Sequence, residues 1–268
     1  MSTNGLFSLR RGHAPLLITM QHVGTRIDAA IEARMQPRAR LRADTDWHLQ
    51  TLYAFAEALG ATVLAAQHSR YVIDMNRPRD GSSLYPGKDT TALCPIDEFD
   101  SAPIYLDGQA PTAAEIEQRV QTYWEPFHAT LQGELARLRE RHERVVLWDA
   151  HSIRGLLPRF FEGRLPDLNF GTADGASCAP ELAEGLQRIV QGQSAYSWVF
   201  NGRYKGGHTV RTYGRPAQGV HSVQLELAQA TYMAESMPFD YQPDKAAELQ
   251  PVLQALLQHC LDFARSPR

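Results

Sequence analysis

The chain is poor in cysteine, in long apolar runs and in excess charge of either sign. Its 268 residues hold three cysteines, Cys94, Cys178 and Cys260, far apart and without a CxxC pair. A disulfide framework or a cysteine zinc site is therefore not expected, and a reducing, cytoplasmic setting is. The apolar stretch after Arg10 and Arg11 runs only from Leu16 to Met20. That is too short for a signal-peptide core or a membrane span, so no membrane association is expected. The formal net charge is −3 with no basic run, which leaves no footprint for nucleic acid. GxGxxG, P-loop and GxSxG patterns are missing, so nucleotide binding and serine hydrolysis lose support. No repeat, low-complexity tract or linker divides the chain, and residues 1–268 are read as one domain. Oligomeric state is not legible.

What is present is a globular alternation of strands and helices. Leu16–Met20, Thr62–Ala66, Tyr71–Met75, Val145–Ala150, Trp198–Phe200 and Val220–Leu227 read as strands. One helix is expected from Asp46 through Leu49, Leu52, Tyr53, Ala56 and Leu59, with Gly60 as its cap. Another starts at the Thr112/Glu115 capping box and carries Ile116, Val120, Trp124, Phe127, Leu131, Leu135 and Leu138, with Pro126 as a kink. Two more are expected near Pro180–Val190 and over Leu249–Leu257, and residues 79–107 read as a long functional loop. The order of elements predicts a single three-layer α/β domain with a mixed, largely parallel sheet.

Two of the strands end in a histidine, His22 and His151, and a third carries one carboxylate, Glu226, on an otherwise apolar run. In α/β sheets ligands bind beyond the carboxyl ends of strands. Two imidazoles and a carboxylate there suit a metal hydrolase, which needs neutral nitrogens for its ion and a base for its water. Asp149 is expected on the opposite strand face from His151. Asp44 and Asp46 precede a predicted helix; one can be its N-cap, and the spare one is a candidate third ligand. Arg77, held extended before Pro78, is read as a fork for a substrate carboxylate. Lys205, His208, Arg211 and Arg215 flank Gly206-Gly207, as an anion-binding loop would require.

Gln21-His22-Val23-Gly24-Thr25, Thr45-Asp46-Trp47, Val72 to Pro78, Trp148 to Ser152, Lys205-Gly206-Gly207 and Gln224-Leu225-Glu226 together resemble the N-formylglutamate amidohydrolases, in order, from about Pro15 to Met233. The resemblance implies hydrolysis of N-formyl-L-glutamate to formate and L-glutamate in histidine degradation, on a fold similar to that of the zinc carboxypeptidases. It implies a divalent metal, Zn2+ or a substitute such as Co2+ or Ni2+, on His22 and His151. It also implies Glu226 as base and Asn76-Arg77 at a substrate carboxylate. The carboxypeptidase pattern has Glu three positions after the first His, where this chain has Thr25. Asp46 is the expected substitute, with Asp44 behind it. Arg211 is the expected cation for the second carboxylate or the oxyanion, and Gly207 and His208 are expected at the substrate. The competing readings are a zinc aminoacylase or carboxypeptidase for another N-acyl amino acid, and a non-catalytic binder of amino-acid-like ligands.

Overall fold

The computed structural model describes residues 5–84 and 87–266. Among them, seven strands form one mixed sheet: β1 (Phe7–Arg10), β2 (Leu16–Met20), β3 (Thr62–Ala66), β4 (Val145–Ile153), β5 (Leu168–Gly171), β6 (Trp198–Phe200) and β7 (Val220–Ala228), in the order β1-β3-β2-β4-β7-β5-β6. The β1–β3 and β5–β7 pairs are antiparallel and the other pairs are parallel. The helices are α1 (Ala29–Glu32), α2 (Leu49–Leu52), α3 (Ala113–Arg119), α4 (Glu125–Arg139), α5 (Pro180–Gln191), α6 (His208–Tyr213) and α7 (Pro243–Arg265).

The central strands read as continuous apolar runs because both faces are covered, as expected of parallel strands. One face sends Leu16, Ile18, Val146, Trp148 and Leu225 against α5 and α7 through Leu182, Leu186, Leu249 and Leu253. The other sends Leu17, Val145 and Leu147 against Phe127, Leu131 and Leu135 of α4. The sheet thus separates two cores, which makes three layers. No helix of the described residues is long and apolar enough to cross a membrane.

Several expectations are corrected. The helix after Asp46 breaks into α2 and a 3-10 turn at Ala54–Glu57, and its N-cap is His48, so neither Asp44 nor Asp46 caps it. Pro126 does not kink a long helix; a π turn at Val120–Trp124 absorbs the change and leaves Pro126 in the first turn of α4, where its missing N–H costs nothing. Tyr71–Met75 is no strand. Tyr71, Val72, Ile73 and Met75 are apolar because they are buried, and the carbonyls of Tyr71, Val72 and Met75 are satisfied by side chains instead of a ladder. Tyr71 accepts from Tyr105, Val72 from Arg119 at 2.8 Å and Met75 from His128 at 2.9 Å. The short strands β1 and β5 were not anticipated. The expected 79–107 loop is present as irregular chain, with residues 85 and 86 outside the described residues.

Candidate active site

The row of side chains that leaves β4 toward α4 begins apolar, with Val145 and Leu147, and turns polar at its carboxyl end with Asp149 and His151. Because strand side chains alternate with a period of two, these two share a face, which corrects the expectation that Asp149 points away. His151 is also inside the strand, not beyond it. The β4–β7 register places Asp149 opposite Gln224 and His151 opposite Glu226. In a parallel pair such partners point the same way, so the ladder alone assembles four polar groups on one side of the sheet.

His22 arrives from the end of the neighbouring β2. Its Nε2 lies 2.7 Å from Asp74 Oδ1, and its Nδ1 faces Asp46 Oδ2 at 3.7 Å. His151 repeats the pattern: Nε2 is 3.1 Å from Asp149 Oδ2, and Nδ1 is 3.1 Å from Asp46 Oδ2. All five groups are buried. Asp74 is further held by Arg70 at 2.8 Å and by the Asn76 backbone N–H at 2.8 Å, and Asp149 by the Thr19 hydroxyl at 2.8 Å. Burial works against ionising Asp46, yet hydrogen bonds from His151 and His22 hold its carboxyl below the ordinary range. Burial likewise opposes charge on His151, but Asp149 and Asp46 raise it well above the usual imidazole value.

This donor set fits a divalent cation. One ligand atom each from His22, Asp46 and His151 lies within 4.8 Å of the others. Asp46 Oδ1 is buried without a hydrogen-bond partner. A histidine that ligates a metal ordinarily gives its other ring nitrogen to a carboxylate or carbonyl, as both histidines do here. Asp44, the alternative ligand, is spent elsewhere: Oδ1 pairs with Arg154 at 2.9 Å, and Oδ2 accepts from Tyr71 and from the Phe99 N–H, each at 2.8 Å.

A cleft opens above His22, His151 and Glu226, and Asn76, Arg77, Gly207 and Gln224 also line it. Burial raises Glu226 to about 8. Gln224 orients it. Its Oε1 accepts from the Gly207 N–H at 2.8 Å, which turns its Nε2 toward Glu226 Oε2 at 3.3 Å. Gly207 is needed for space, since a Cβ there would lie 2.3 Å from Asn76 Nδ2. Asn76 accepts from the Thr209 N–H at 2.9 Å, and its Nδ2 is 3.1 Å from His151 Nε2. Arg77 bends over Thr91, donating to its carbonyl at 3.0 Å and its hydroxyl at 3.1 Å.

His208 and Arg211 are not among the lining residues. The His208 ring packs with Trp124 and His128, and Arg211 Nε donates to the Gly206 carbonyl at 2.9 Å. Lys205 pairs with Asp174 at 3.0 Å, and Arg215 Nη1 donates to the Arg211 carbonyl at 2.8 Å. Among the lining residues that escaped the sequence reading are Arg70, Thr91 and Arg203. Arg203 follows β6 by a short turn, and a cation just past a strand end was the signal available for it. Asp74 was visible as a member of a motif, but its contact with His22 was not.

A family model described as N-formylglutamate amidohydrolase matches residues 14–233. The chain belongs to that family. It is 50% identical to N-formylglutamate deformylases of Pseudomonas aeruginosa and Pseudomonas putida, over 97% and 96% of both chains respectively. The crystal structure of an N-formylglutamate amidohydrolase from Ralstonia eutropha JMP134 superposes with a TM-score of 0.82 at 28% identity, covering 97% of this chain and 98% of that one. A gene product of Agrobacterium tumefaciens shares the fold at 17% identity, with a TM-score of 0.73 and coverage of 97% and 96%. The chain is therefore a hydrolase of an established family on a single α/β domain.

Proposed function

We propose that this chain hydrolyses N-formyl-L-glutamate to formate and L-glutamate, with a divalent metal held by His22, Asp46 and His151. The observation that carries the reading is the pair of histidines. Each has one ring nitrogen against its own buried aspartate and the other turned to Asp46, below a buried glutamate. The 50% identity to two N-formylglutamate deformylases supports the substrate.

An amide resists water because water is a weak nucleophile and the tetrahedral oxyanion is unstable. A cation on this donor set, which we assign as zinc with cobalt or nickel as substitutes, would polarise the formyl oxygen and acidify a water. Asp74 and Asp149 fix the ring orientation of His22 and His151. Glu226 takes the proton of the attacking water and returns it to the departing amine nitrogen, a task suited to a group whose burial brings it to about 8. Gln224 holds Glu226 in place, and Asn76 and Arg77 receive a carboxylate of the substrate at the rim. The same reading assigns a place in histidine degradation, a fold related to the zinc carboxypeptidases, one domain over residues 1–268 and a cytoplasmic setting. Three buried, unpaired cysteines are in keeping with the last.

The test is formate release from N-formyl-L-glutamate by the purified protein, before and after chelation and after readdition of Zn2+. Release that is lost on chelation and restored by metal is expected. No release, or release indifferent to thorough metal removal, overturns the reading.

A further inference from the structure

Arg77 and Arg203 both line the cleft, and both are anchored on the same short piece of chain. Arg77 donates Nε to the Thr91 carbonyl at 3.0 Å, and Arg203 donates Nη2 to the Asp89 carbonyl at 3.3 Å. Arg203 is fixed further by donation from Nε to the Phe160 carbonyl at 2.7 Å, and its guanidinium lies 5.4 Å from the Tyr204 ring centroid. The Asp89 carboxylate is engaged by both prongs of Arg159, at 2.9 and 3.0 Å. Two residues of chain span at most ~7 Å, so the anchors of the two guanidinium groups are no farther apart than that.

We propose that Arg203 binds the side-chain carboxylate of the substrate while Arg77 binds its α-carboxylate, and that the Asp89–Thr91 segment sets the spacing between them. This assignment rests on the reading of the cleft as an N-formylglutamate hydrolase site. Arg77 follows Asn76, which touches His151, so its end of the cleft is the one beside the reacting amide. The α-carboxylate is attached to the carbon that bears this amide. The side-chain carboxylate lies two methylenes farther out and is assigned to Arg203, the second guanidinium of the cleft anchored on the same segment. A bidentate guanidinium at each end recognises a dicarboxylate of one length. Arg203 therefore takes the role expected of Arg211, which does not line the cleft and donates Nε to the Gly206 carbonyl.

Formate release is measured with N-formyl-L-glutamate, N-formyl-L-glutamine and N-formyl-L-aspartate for the wild type, Arg203→Gln, Arg203→Lys and Arg77→Ala. The wild type should prefer formylglutamate over formylglutamine by ~10-fold or more in kcat/KM. Arg203→Gln should lose that preference through a higher KM for formylglutamate, with formylglutamine little changed. Arg203→Lys should keep a part of it. Arg77→Ala should lower all three substrates together. Each preference is a ratio within one variant, so a reduced folded fraction cancels. If Arg203→Gln retains the wild-type ratio, Arg203 does not hold the side-chain carboxylate and the proposal is overturned. If the wild type releases no formate from formylglutamate, the functional reading fails instead, and the two failures are told apart.

Discussion

The two halves of the site are built in opposite ways. Asp149, His151, Gln224 and Glu226 stand on a parallel strand pair, where the ladder satisfies the backbone and the register sets each side chain. Arg70, Asp74, Asn76 and Arg77 stand on irregular buried chain. There nearly every step is gripped from outside: His128 on the Met75 carbonyl at 2.9 Å, Trp124 on the Arg77 carbonyl at 3.1 Å and Arg119 on the Val72 carbonyl at 2.8 Å. Buried backbone polar groups must find partners, and off a ladder the partners are side chains. The strand half is thus robust to distant changes, while the coil half depends on α3, the π turn and α4.

The largest effect expected is on the strand half itself. Glu226→Gln keeps the shape and removes the proton acceptor, so turnover should fall by ~100-fold or more with metal binding retained. His151→Ala should lose metal as well as turnover. Full activity in a correctly metallated Glu226→Gln would take the base away from this half and place it elsewhere.

The next effect separates the halves. His128 is neutral, because burial pushes it down to about 3, so Nε2 donates to Met75 while Nδ1 accepts from Tyr213 at 2.9 Å. His128→Ala leaves the Met75 carbonyl buried and unsatisfied, at a cost of ~1–3 kcal/mol. If that strain is released by movement of Asn76 and Arg77, KM should rise by about 10-fold while kcat changes less, and His128→Gln, which can still donate, should recover part. The matched change on the strand side is Asn169→Ala, which removes a donor to the Glu226 carbonyl at 3.1 Å. The ladder still holds that strand, so KM should stay near the wild-type value. Equal KM effects from the two variants would erase the distinction drawn here.

The same contrast explains what could be read from the sequence. The residues on or just past the strands were legible because His22, His151 and Glu226 sit at or near the ends of apolar runs, and such runs announce central strands. Even there, period two places Asp149 beside His151, a consequence the reading missed. The coil half was legible only as motifs. Tyr71–Met75 looked like a strand because burial, not pairing, made it apolar, and no local pattern reports that Asp74 reaches His22 or that Thr91 underlies Arg77. One of Asp44 and Asp46 looked like a helix cap because the sequence cannot show that their partners, Arg154 and His151, come from the far side of the chain.

The smallest effect concerns stability, and in it the two halves titrate in opposite senses once metal is removed. On the strand half, burial raises Glu226 to about 8, and Asp149 and Asp46 raise His151 despite burial. Both groups bind protons more tightly folded than unfolded, so folding takes up protons. Stability is then greatest below the unfolded values of these groups and declines as pH rises through the folded ones. On the coil half, Asp74 is buried yet held well below the carboxylate range by His22, Arg70 and Arg77, so its contribution is present above the unfolded value, near 3.9, and is lost on acidification. Chelated wild type should therefore melt at a lower temperature at pH 9 than at pH 6, and Glu226→Gln, which cannot ionise, should show a shallower decline over that window. Metal should reverse the trend, because its affinity rises as its ligands lose protons. An unchanged alkaline decline in Glu226→Gln would mean that His151 alone carries it, and a shallower acid limb in Asp74→Asn would still mark the coil half as the acid-sensitive one.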